Sequence, residues 1–127
     1  FVPIAIGLVD YLSLEMLGRA VADAVRGSKE RVIIVASSDM NHYEPDAITR
    51  EKDEKAIEKI LALDPAGLLE VIREENISMC GYAPTIAMLT AANVLGAQEG
   101  RLIRHATSAD AGGDPDSVVG YAGIIVS

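Results

Sequence analysis

The sequence predicts an α/β fold of three layers, a mostly parallel sheet with helices on both faces. Three observations predict it. The run Val32-Ile33-Ile34-Val35 is continuously apolar and β-branched, and is bounded by Arg31 and by the small residues Ala36, Ser37 and Ser38. A run of this kind fits a strand buried on both faces, as parallel strands are. Segments of helical periodicity alternate with such runs along the chain, the signature of βαβ units with right-handed crossovers. Finally, 127 residues with 50% hydrophobic composition suit one domain with a substantial core and are too few for two.

In order, Val2 to Leu8 reads as the first strand. It opens almost at the first residue with no polar lead-in, which reads as a chain cut from something longer or trimmed of a leader. A helix follows from Ser13, an N-cap residue, with Glu15 adding favourable charge to its first turn and Gly27 as its stop. Leu17, Ala20, Val21, Ala24 and Val25 give that helix one apolar face. The Arg31 strand comes next and ends in a loop carrying Asp39, Asn41 and His42. In open α/β sheets, ligands and catalytic groups gather beyond the carboxyl ends of such strands, so this loop is the first place to look for chemistry.

Pro45 signals a helix over Asp46 to Leu63. Its charged middle, Arg50 to Lys55, reads as a solvated face with a Glu51–Lys55 pair at i, i+4, opposite a stripe of Ile57, Ile60 and Leu61. Asp64-Pro65 is an N-cap followed by Pro at the first helical position, opening a short helix to Glu74. Pro84 to Leu95 is apolar almost all round, the mark of a buried central helix, and Gly96 ends it. Arg101 to Thr107 and Ser117 to Val126 read as strands around a Gly/Asp-rich loop. Gly120 and Gly123 inside the last strand mark a bulge or a close backbone approach.

With 19 acidic against 11 basic residues and a net charge of -8, the chain lacks the clustered Lys and Arg that nucleic acid or an anionic membrane surface demands. No apolar run has the length of a membrane span, and no basic-flanked leader is present. A single cysteine, Cys80, forms no internal disulfide, which points to a reducing cytoplasm.

His42, with Asp39 three residues earlier, has the makings of a carboxylate-oriented general acid or base, or of a hydrogen-bonded structural pair. Cys80 precedes a helix N-terminus, where the thiolate is favoured as nucleophile or metal ligand, and Gly81 lets a partner approach. It also fits a core position beside Met79. Ser108 and Asp110 lie in a loop at the sheet rim, as cleft lining or as turn chemistry. His105, mid-strand with no acidic neighbour in sequence, reads as structural. Three classes stay open: a metal site using Cys80 with His42 as acid/base, a Cys80–His42 hydrolase or transferase, and a non-catalytic binding module.

The segments SSDMNHYEP, ISMCGYAPTIAML and HATSADAGGDPDSVVGYAGI, in this order and spacing, resemble the C-terminal half of the Memo family, also called AmmeMemoRadiSam system protein B. That family is similar in fold to class III extradiol dioxygenases, which use non-haem iron(II). The resemblance implies an α/β domain spanning residues 1–127 with part of a metal pocket at its rim. It implies metal-dependent redox or dioxygenase-type chemistry in the complete protein. It matches Cys80 to the family's cysteine ligand, His42 to its acid/base and Asp39 to the aspartate beside it. Asn41, Gly81, Ser108 and Asp110 are weaker pocket candidates.

The family's two metal-binding histidines lie in its N-terminal half, and neither His42 nor His105 falls at those positions. The chain is therefore expected to be a C-terminal fragment, inactive alone, needing two further ligands from the missing half for iron, copper or zinc. Its exposed apolar edge calls for that half or for self-association as partner. The substrate is a small molecule of unknown identity. The alternatives are an interaction module that kept the fold, or a Cys-His hydrolase.

Overall fold

The computed structural model describes residues 1–7 and 10–127. The elements run α1 (Tyr11–Gly27), β1 (His42–Glu44), α2 (Asp46–Leu61), α3 (Pro65–Glu74), α4 (Tyr82–Leu95), β2 (Gly100–Thr107), a short 3-10 turn (Ser108–Ala111) and β3 (Val118–Val126). The class is mixed α/β. The sheet among the described residues has three strands in the order β1-β3-β2, with antiparallel pairing throughout. β2 and β3 pair from Gly100↔Val126 to Thr107↔Gly120, with an irregularity between Leu102 and Arg104.

The two segments expected as parallel strands differ from expectation. Val2 to Gly7 and Arg31 to Ser38 carry no strand pairing, and Leu8 of the first lies outside the described residues. Val2, Ile33 and Val35 are each more than four-fifths exposed. The physical reason is that a parallel strand needs neighbours on its edges and cover on both faces, and no described residue supplies them. Between the Val32 to Ala36 segment, α4 and the Ala122 to Ser127 end of β3 lies an open apolar cleft of about 770 Å³.

The helices follow their sequence signals with small shifts. α1 is capped by Asp10, whose carboxylate accepts the Ser13 amide at 2.8 Å, so Ser13 is inside the helix and Asp10 takes the cap. α3 begins as expected: Asp64 accepts the Gly67 amide at 2.8 Å and Pro65 opens the first turn. α4 starts two residues earlier than predicted and ends at Gly96, whose φ of 94° is a left-handed C-cap. The core joins Leu14 of α1, Ile57 and Ile60 of α2, Leu68 of α3, and Ile86 and Leu89 of α4. Helices α1 and α4 meet at Gly18, where a Cβ would sit 2.5 Å from the Ala87 carbonyl oxygen and 2.6 Å from Thr90 Cβ.

Candidate metal centre

Two segments far apart in sequence converge on one point. The first, Ser38 to His42, is anchored by backbone pairing to β3: Met40 N–H donates to the Gly120 carbonyl and Gly120 N–H to the Asn41 carbonyl, each at 2.9 Å. The second, Ser78 to Gly81, leads into α4. Gly81 N–H donates to Ser38 Oγ at 2.8 Å, and Asp39 N–H donates to Cys80 Sγ at 3.2 Å. A Cβ on Gly81 would fall 2.7 Å from Ser38 Oγ and closer still to the Ser37 carbonyl oxygen. Glycine at 81 is thus what permits the two segments to touch.

The His42 ring is held from behind by a hydrogen bond. Its Nδ1 lies 2.7 Å from the Ser78 carbonyl oxygen. A carbonyl only accepts, so Nδ1 carries the hydrogen, and in the neutral ring the lone pair is on Nε2. Nε2 faces Asp39 Oδ2 at 3.6 Å. One ligand atom each from Asp39, His42 and Cys80 lies within 4.8 Å of the others. The imidazole is mostly buried, with 15% of its side chain exposed, while Asp39 is 47% exposed and Cys80 is exposed. A carboxylate oxygen, an imidazole nitrogen and a sulfur, all presenting lone pairs to one small volume open to solvent, make a donor set suited to a transition metal or zinc.

The weaker pocket candidates divide. Asn41 is wholly buried and works behind the site. Its Oδ1 accepts from Ser78 N–H and Ser78 Oγ, both at 3.0 Å, while its Nδ2 donates to Glu44 Oε2 at 2.6 Å. Ser78 Oγ in turn accepts the His42 amide at 2.8 Å. Ser108 and Asp110 are engaged in their own loop: Ser108 Oγ accepts the Val119 amide, and Asp110 accepts Thr107 N–H at 2.8 Å and pairs with Arg50 at 2.9 Å. The latter contacts hold the Asp110 carboxyl below the usual carboxylate range, the Thr107 amide leading and Arg50 adding.

Asp53 and His105 hold the largest surprise. Asp53, expected on a solvated face, is completely buried. Oδ1 accepts Asn41 N–H and Oδ2 meets His105 Nε2, both at 2.8 Å. Burial pushes the Asp53 carboxyl above its ordinary range, and the Asn41 amide and His105 pull against that. A signal existed: Asp53 falls four residues before Ile57 and seven before Ile60, on the buried stripe of α2. His105 has no acidic neighbour in sequence but finds one through space.

Comparison with known proteins shows the family. The family model described as Memo-like protein matches residues 1–125. A MEMO1 family protein of Methanopyrus kandleri is 42% identical over 125 residues, covering 98% of this chain and 44% of that protein. One from Methanocaldococcus jannaschii is 43% identical over 125 residues, with 98% and 44% coverage. One from Pyrobaculum aerophilum is 49% identical over 109 residues, with 86% and 39% coverage. The chain thus spans less than half the length of these curated relatives. With a family model matched over nearly every residue, the chain belongs to the Memo-like protein family.

Proposed function

We propose that this chain contributes Cys80, His42 and Asp39 to a metal pocket that is completed by other parts of the full protein, and that the complete pocket carries metal-dependent redox or dioxygenase-type chemistry. The observation behind this reading is the convergence of three donor atoms within 4.8 Å, with His42 Nδ1 taken up by the Ser78 carbonyl. Cys80 serves as ligand. His42 accepts or donates a proton at Nε2, the ring position facing the pocket, and Asp39, 3.6 Å from that nitrogen, helps orient the imidazole. A bound iron or copper ion would supply electron transfer and polarisation of a bound small molecule.

The remaining ligands come, in this reading, from the portion of the Memo-like polypeptide that lies outside these residues, since the chain covers only 44% of a typical relative. The same portion would cover the apolar cleft and give the Val2 and Arg31 segments the strand neighbours they need to join a parallel, three-layer sheet. A cytoplasmic setting accords with the lone free cysteine. No helix among the described residues is long and apolar enough to cross a membrane.

The test is titration of the complete, metal-free protein with Co²⁺, followed through thiolate-to-cobalt absorption. The band should appear in wild type and vanish in Cys80→Ser. A Cys80→Ser protein with an undiminished band sinks the reading. His42→Gln should keep the band while losing turnover of any substrate found; loss of the band would instead make His42 a ligand.

A further inference from the structure

We infer that Asn41 and the buried Asp53–His105 pair are positioning residues that fix which nitrogen of His42 faces the pocket and hold the two site segments in register. The inference rests on the metal-pocket reading above and extends it to residues that do not themselves touch the pocket.

The connection runs through buried hydrogen bonds. His105, on β2, donates from Nε2 to Asp53 Oδ2 at 2.8 Å, and Asp53 Oδ1 accepts the Asn41 amide at 2.8 Å. That bond fixes the backbone between Met40 and His42. The Asn41 carboxamide then reaches across to the other segment, accepting Ser78 N–H and Ser78 Oγ–H. Ser78 closes the circuit on His42 twice, its Oγ accepting the His42 amide at 2.8 Å and its carbonyl accepting Nδ1–H at 2.7 Å. One carboxamide therefore couples the segment that carries Asp39 and His42 to the segment that carries Cys80.

Two features separate this arrangement from an ordinary buried polar pair. A buried carboxylate facing a single imidazole satisfies that imidazole alone, whereas here its second oxygen is spent on a backbone amide inside the site segment. Room for that carboxylate is made by a glycine: a Cβ on Gly120 would lie 2.8 Å from Asp53 Cγ and 3.1 Å from Oδ1. Gly120 is also the residue that pairs with Met40 and Asn41 through the backbone. Three elements, α2, β2 and β3, thus meet behind Asn41. Outer partners of this type aim the groups in front of them, here the His42 ring and, through the Ser78 segment, the Cys80 ligand, and loss of such partners typically weakens metal binding about 10- to 100-fold.

The experiment uses the complete protein with Asp53→Ala and Asp53→Asn. An asparagine keeps an acceptor for the Asn41 amide, and its NH2 donates to His105 Nε2 once that ring carries its proton on Nδ1, while alanine keeps neither. The first readout is the pair of ¹⁵N shifts of the His42 ring in metal-free protein at about pH 8, where an ordinary imidazole is neutral. Wild type and Asp53→Asn should show the Nδ1–H form, and Asp53→Ala should show mixed tautomers. The second readout is Co²⁺ affinity, which should fall about 10- to 100-fold in Asp53→Ala and stay near wild type in Asp53→Asn. If Asp53→Ala does not fold, His105→Ala against His105→Gln is read in the same way. A folded alanine variant with wild-type tautomer and affinity overturns the inference. So does an Asp53→Asn protein that behaves like Asp53→Ala, because the acceptor for the Asn41 amide is retained. If wild type gives no cobalt–thiolate band, the metal-pocket reading fails, and the tautomer comparison still decides the positioning role.

Discussion

Gly120→Ala tests how tightly the buried carboxylate is held. The added methyl would collide with Asp53 Oδ2, with Cγ at 2.8 Å. Asp53 is a short side chain on a helix, wholly buried, so its carboxylate has no solvent to swing into. Accommodating the methyl means giving up the bonds to Asn41 N–H and His105 Nε2, both 2.8 Å long. At about 1.5–3 kcal/mol for each charge-assisted bond, the loss is about 3–6 kcal/mol. The gain from replacing a strand glycine by alanine offsets about 0.5–1 kcal/mol. The net destabilisation expected is therefore about 2–5 kcal/mol. With a urea slope of about 2 kcal/mol/M, this moves the unfolding midpoint down by about 1–2.5 M. The companion variant Asp53→Ser removes the obstructing carboxylate. The double variant should then be markedly more stable than the sum of the two single effects predicts, a coupling of the kind contacting residues show. A Gly120→Ala protein within about 0.5 kcal/mol of wild type, or strict additivity in the double variant, would refute the packing argument.

Two further outcomes follow from the same geometry. Gly81→Ala should press the Cys80 turn away from Ser37 and Ser38 and weaken Co²⁺ binding in titration about tenfold or more, even though the backbone at 81 needs no left-handed φ; unchanged affinity would mean that the two segments tolerate separation. Arg50→Met should flatten the acid limb of stability. Arg50, then Thr107, holds the Asp46 carboxyl below its ordinary range, and the Thr107 amide, then Arg50, lowers that of Asp110. Lowered carboxylates contribute stability above their unfolded value that is lost as pH falls through the folded one, so wild type should lose stability below about pH 4 and the variant should lose less. Asp53 works in the opposite sense: its raised value contributes stability at low pH that fades as pH rises, and it does so equally in both proteins. Urea midpoints measured from about pH 5 downwards distinguish these trends, and parallel acid limbs in the two proteins would count against the Arg50 argument.

Sequence signals hold where the physics is local. The Asp64-Pro65 cap, the Gly96 stop and the span of α3 depend on neighbouring residues, and each is where the chain chemistry puts it. The segments bearing Asp39, His42 and Cys80 were likewise legible, because turn residues and a helix start bracket them. Three things depended on distant partners. Val32 to Val35 has the composition of a doubly covered strand, but a strand exists only with neighbours, and the described residues give it none. Asp53 looked solvated because its sequence neighbours are charged; its burial follows from helical phase, which places it with Ile57 and Ile60 while Glu51 and Glu54 point outward. His105 reads as structural and is so, but its carboxylate partner lies 52 residues away, where no sequence neighbour announces it.

The amide of Asp39 and the sulfur it bonds are 41 residues apart along the chain, with all of α2 and α3 between them. Such a pairing is non-local and closes a long loop, whose entropic cost the docked helices between must offset. Any ion gripping both segments acts as a removable crosslink on that loop. Occupancy and folding then become linked equilibria: at a free concentration of about 100 times Kd, the ion would add about 2.7 kcal/mol to native stability. The thermal midpoint would become a gauge of ion supply.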